Sequence, residues 1–69
     1  MIVINRIAIK LEERDIVKGK VRIPESVMCL GTCFAVYNYE LEEIIIPKNI
    51  YVQNSFLLGC CNLKKIKIY

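Results

Sequence analysis

Sixty-nine residues with a formal net charge of +3 make one small domain. A chain that is 55% hydrophobic and 25% charged is globular rather than disordered. Histidine is absent and no run of about 18 apolar residues occurs, which removes imidazole acid–base chemistry, His-containing metal sites and a transmembrane helix.

In chain order, residues 1–18 read as an N-terminal cap. Ile4-Asn5-Arg6-Ile7-Ala8-Ile9 shows the L-x-x-I-x-I shape of the later strands, but its spacing to Val21 is only 14, so it reads as an atypical cap, with a hairpin turning near Glu12 to Asp15 expected. Residues 19–69 carry a repeat. Val21-Arg22-Ile23-Pro24 precedes Ile44-Ile45-Ile46-Pro47 by 23 positions, and Leu41-Glu42-Glu43-Ile44-Ile45-Ile46 precedes Leu63-Lys64-Lys65-Ile66-Lys67-Ile68 by 22. Phe34 and Phe56 each stand seven residues before the leucine of the following segment. A period of 22 to 23 that returns to the same strand pattern predicts windings stacked on one another, because one winding alone cannot bury its apolar face. Strand alternation turns Leu41, Ile44 and Ile46 inward, with Leu63, Ile66 and Ile68 in the next layer. Pro47 ends its strand, since proline cannot donate to a ladder. Glu25-Ser26 and Lys48-Asn49 supply turns; Val27 with Leu30, and Ile50 with Val52, re-enter the core.

These residues reach a known pattern. Arg22-Ile23-Pro24-Glu25-Ser26-Val27, Leu30-Gly31, Phe34-Ala35 and Phe56-Leu57-Leu58-Gly59-Cys60-Cys61-Asn62-Leu63 resemble the BspA-type leucine-rich repeat, over residues 19–69. Asn38 stands where the family has cysteine, Cys33 and Ser55 stand before the phenylalanines where alanine is usual, and only two copies are present. The resemblance implies a mainly β fold: a short right-handed leucine-rich-repeat solenoid of parallel strands with few short helical turns, closed by the N-terminal β cap. It also implies a non-catalytic binding role, common among bacterial cell-surface and adhesion proteins.

In-register stacking predicts columns across the sheet. Lys20, Glu43 and Lys65 form one, Arg22, Ile45 and Lys67 a second, and Pro24, Pro47 and Tyr69 a third, with Glu42 facing Lys64. As a solvated ladder these charges contribute at most about 0.2–1 kcal/mol per pair. Ile45 is apolar on the expected wet face, so Arg22, Glu43, Ile45, Lys65, Lys67 and Tyr69 are the candidate partner-binding residues. The last strand, Leu63 to Tyr69, has no capping segment after it, and Lys64, Lys65 and Lys67 read as gatekeepers against edge pairing. Self-association as a homodimer, or capping by a protein partner, is expected over a bare edge.

Of the four cysteines, Cys60 reads as a small inward hydrophobe. A disulfide framework is disfavoured without an export signal, and a Cys-only zinc site lacks C-x-x-C spacing at Cys29, Cys33, Cys60 and Cys61. Gly19, Gly31 and Gly59 are isolated, so no phosphate-cradling loop is present. Glu40, Glu42 and Glu43 form the sole carboxylate cluster, with Glu42 and Glu43 on opposite strand faces. Three lysines near the end lack an aromatic stacking platform, which argues against nucleic acid. No catalytic or metal site and no cofactor are expected. Tyr37 and Tyr39 are expected to cover the convex side or to form an aromatic contact patch.

The function that follows is protein–protein recognition through the concave sheet or the exposed end, in its sharpest form a small phage-borne inhibitor of a host defence enzyme. The alternative is a fragment or stub of a bacterial surface adhesin with a structural role. The early charge at Arg6 does not fit a signal peptide, so the expected location is cytoplasmic, or the cell surface for a piece of a longer family member.

Overall fold

The computed structural model describes residues 1–69 as a mainly β chain whose sole helical element is a 3-10 turn at Glu13–Asp15. Seven short strands occur: β1 (Ile2–Ile4), β2 (Ile7–Lys10), β3 (Lys20–Arg22), β4 (Cys29–Leu30), β5 (Glu43–Ile46), β6 (Tyr51–Val52) and β7 (Lys65–Ile68). They form one sheet in the order β1-β2-β4-β6 and another in the order β3-β5-β7.

The amino-terminal segment folds as a hairpin, but the turn is not where the alternation placed it. β1 and β2 pair antiparallel across Asn5 and Arg6, whose φ values of 51° and 63° are left-handed. Left-handed conformations at both central residues are what a tight two-residue hairpin turn requires, and asparagine tolerates them well. The Glu12–Asp15 stretch instead closes into the 3-10 turn, where Asp15 accepts from the Glu12 N–H at 2.9 Å. Met1 completes this corner, its amino group lying 2.7 Å from Glu12 and 2.6 Å from Asp15. β2 then runs parallel to β4, with Ala8 beside Leu30, so the segment joins the β4-β6 sheet and not the β3-β5-β7 sheet whose L-x-x-I-x-I shape it shares.

β3, β5 and β7 are parallel and in register. Lys20, Glu43 and Lys65 are neighbours, as are Val21, Ile44 and Ile66, and Arg22, Ile45 and Lys67. β3 is followed by a turn in which Val27 donates to the Pro24 carbonyl at 3.0 Å, while Lys48, just after Pro47, donates across to the Tyr69 carbonyl of the next layer at 2.8 Å. β4 and β6 then pair, with Leu30 beside Val52. Between the two sheets the chain runs through consecutive turns, and these also lie against each other. Cys33, Ala35 and Tyr37 donate to the carbonyls of Ser55, Phe56 and Leu58 at 3.2, 2.9 and 2.7 Å. The backbone repeats in detail: Cys33 and Ser55 are both left-handed, as are Tyr37 and Gly59.

Eleven buried apolar residues make the core, among them Ala8, Leu30, Phe34, Leu41 and Ile44. All of it lies between Ala8 and Ile46. The inward positions of the following repeat are bare. Ile44 is 0% exposed but Ile66 is 52%; Ile46 is 8% but Ile68 is 68%; Leu30 is 0% but Val52 is 39%. The cause is stacking, not chemistry. Residues 25–47 have a layer on each side, whereas residues 48–69 have one side only, so the same apolar pattern stays half wet.

Candidate partner-binding surface

Two surfaces arise from this arrangement: the outer face of β3-β5-β7, and the open end made by β6, β7 and the turns beside them. The face holds all six residues that the column argument singled out, and most of them are already engaged with one another. Lys67 reaches across the strands to Glu43 at 3.8 Å. Glu43 itself is 9% exposed, because it lies on the central strand between Lys20 and Lys65, whose long stems can cover it. This corrects the picture of a freely solvated Glu43. Ile45 is half-buried rather than fully wet, and borders a shallow cleft of about 510 Å³ walled by Asp15, Val17, Lys20 and Arg22.

Tyr69 continues the register one residue past β7, its backbone beside Pro47 as the third column places it, donating to the Ile46 carbonyl at 2.9 Å and accepting from the Lys48 N–H at 2.8 Å. Its ring turns back over the end of the sheet, where its hydroxyl donates to the Ile23 carbonyl and the Arg22 guanidinium sits 4.0 Å from the ring centre. Arg22 and Tyr69 therefore clasp β3 to the last strand across β5. A cation held over an aromatic face contributes about 0.5–1 kcal/mol at such a site. Their first role is to hold the sheet together. The nearby Glu42–Lys64 pair closes at 3.4 Å, and Lys18, Lys20, Lys64 and Lys65 surround these two glutamates in a depression of about 260 Å³. Lys65 and Lys20 lie beside Glu43 in register, but neither closes an ion pair.

The open end offers both apolar and hydrogen-bonding groups. Lys65 and Tyr69 direct their N–H groups toward β5, so the strand's alternation points the amides of Ile66 and Ile68 to the open side. Tyr51 and Gln53 likewise donate to Met28 and Leu30, which leaves the backbone of Val52 facing outward. The side chains of Ile66, Ile68 and Val52 are exposed at the same place, with Phe56, Leu57 and Leu63 half-buried behind them. An apolar patch that coincides with free strand edges is a template for strand addition.

The cysteines do not converge. All four are free, and no three Cys, Asp or Glu side chains gather as metal ligands would. Cys60 packs against the core and donates its thiol to the Ala35 carbonyl at 2.8 Å; burial pushes its pKa up, which keeps it a neutral thiol. Tyr37 and Tyr39 are exposed. The Tyr37 ring lies directly on the backbone of Gly59, where an added Cβ would come within 2.2 Å of it. No helix is long and apolar enough to cross a membrane. Comparison with protein-family models, curated proteins and solved structures finds no match.

Proposed function

We propose that this chain is a non-catalytic protein–protein interaction module, built as a short leucine-rich-repeat-type solenoid, that engages a partner protein mainly through its open end. One observation carries the reading: none of residues 48–69 is buried, although they repeat a pattern that is buried one layer earlier. The in-register parallel pairing of β3, β5 and β7 supports the solenoid description, and the bare Ile66, Ile68 and Val52 support the end as the contact. Fully covering an isoleucine contributes about 1.5–3 kcal/mol, so covering the exposed half of three such side chains makes a few kcal/mol available to association. The outer face of β3-β5-β7 takes a secondary part, through Ile45 and the cleft next to it.

A photo-cross-linking amino acid at position 68, and separately at exposed Tyr39 on the side of the molecule, tests this. In source-cell lysate, position 68 should yield a discrete protein adduct that Ile66→Asp abolishes, while position 39 yields none. Equal adducts from both positions, or no adduct at position 68, would refute the open end as the contact.

A further inference from the structure

Accepting the open end as the docking surface, we infer that its occupant is an extended strand of a partner protein, added parallel to β7, with acidic residues on its outer face and branched aliphatic residues on its inner face. The backbone sets the first requirement. The amides of Ile66 and Ile68 point into the open side, so the occupant has to supply carbonyls at strand spacing. The side chains set the second. Ile66 and Ile68 are exposed on the inner face, so the neighbouring positions of the occupant have to be apolar to complete the layer that Ile44 and Ile46 begin.

Charge sets the third requirement and decides the identity of the occupant. Along the rows of the sheet the charges alternate: Lys20, Glu43, Lys65 in one row, Glu42 then Lys64 in the row before it. Lys67 leans back to Glu43. Both outward residues of β7, Lys65 and Lys67, are lysines, Lys64 precedes them, and all the acids that face them come from the β5 side. The next strand out therefore meets Lys65 with no ion pair, and Lys64 and Lys67 with one acid each on their inner side, so acids there continue the alternation.

The same rows argue against a second copy of this chain. Two β7 edges meeting would set lysine against lysine. The far edge of the sheet, β3, would bring Lys20 and Arg22 against Lys65 and Lys67. Like charges directly opposite one another destabilise strand pairing. β5 shows what suits β7. It meets the other edge of that strand with Glu43 against Lys65, Ile44 against Ile66 and Ile46 against Ile68.

Two synthetic heptapeptides, Leu-Glu-Glu-Ile-Glu-Ile-Pro and Leu-Lys-Lys-Ile-Lys-Ile-Pro, test the inference on the intact chain. Binding is read by amide hydrogen exchange at Ile66 and Ile68, and by titration at low and high salt. The acidic peptide should slow exchange at both amides and bind about tenfold more tightly than the basic one, a difference of about 1.4 kcal/mol. The gap should shrink in about 1 M salt, and Lys65→Gln should narrow it. Equal protection by both peptides overturns the acidic assignment and leaves the open end as a docking surface. Protection by neither overturns both. Protected Ile66 and Ile68 amides in the free protein, together with a dimer in sedimentation, overturn the inference in favour of a second copy.

Discussion

Ile44 and Ile66 occupy the same place in successive layers, side by side in register, yet one is sealed and the other is half exposed. Truncating each to alanine isolates the effect of cover. Ile44→Ala removes three carbons from a closed site at about 0.8 kcal/mol each, and leaves a cavity that adds to the loss, for a total of about 3–4 kcal/mol. Ile66→Ala removes the same atoms from a site that is 52% exposed and can refill with water, for about 1 kcal/mol. A domain of this length has roughly 3.5–10 kcal/mol of stability in all, so Ile44→Ala approaches the limit of folding. Ile44→Val and Ile66→Val, at about 1 and 0.4 kcal/mol, give the same comparison in a range where both fold. Urea unfolding followed by circular dichroism measures the difference, with an unchanged m-value showing that the unfolded state is the same. Equal losses at the two positions would refute the reasoning, since they would mean that something covers Ile66 in solution.

Three further outcomes are expected. Gly59→Ala places a Cβ within 2.2 Å of the Tyr37 ring on a residue with φ near +76°; a loss of about 2 kcal/mol or more is expected by thermal melting, part of it restored by Tyr37→Ala. Tyr69→Phe deletes the hydroxyl that donates to the Ile23 carbonyl and should cost about 1 kcal/mol, and a separate double-mutant cycle between Tyr69→Leu, which removes the ring, and Arg22→Ala should show coupling of about 0.5 kcal/mol from the ring contact. Additive losses would show that the clasp does not form.

Stability should also depend on pH through the Met1 corner. Hydrogen bonds to Asp15 and Glu12 raise the pKa of the Met1 amino group, so its contribution is full below the ordinary amine range and is lost as pH rises through the raised value. The hydrogen bond from Met1 lowers the pKa of Glu12. At Asp15 burial alone would raise it, but hydrogen bonds from Met1 and the Glu12 N–H prevail and lower it. Their contribution is present above the ordinary carboxylate range and is lost as pH falls through the lowered values. Acetylating Met1 should therefore lower the plateau between these limits and flatten its alkaline side; an alkaline limb unchanged by acetylation would exclude Met1 as its source.

Strand register is local physics and is legible in the spacing of the residues. The 22–23-residue period, the alternation within Ile44-Ile45-Ile46 and Ile66-Lys67-Ile68, and the proline stops led directly to the register of Lys20, Glu43 and Lys65, and of Arg22, Ile45 and Lys67. The Glu42–Lys64 pair followed from the same arithmetic. The hairpin turn was misplaced because an alternating run looks the same whether or not two of its residues turn left-handed. Asn5 was the available signal, since it tolerates that conformation in a two-residue turn.

Side-chain alternation along a strand is written in the chain itself, since every second residue shares a face. Cover is not. Whether Glu43 is sealed, whether Arg22 reaches Tyr69 across an intervening strand, and whether Ile66 is wet while Ile44 is dry depend on which layers lie above and below. Those neighbours come from segments more than twenty residues away, and only the assembled fold brings them together.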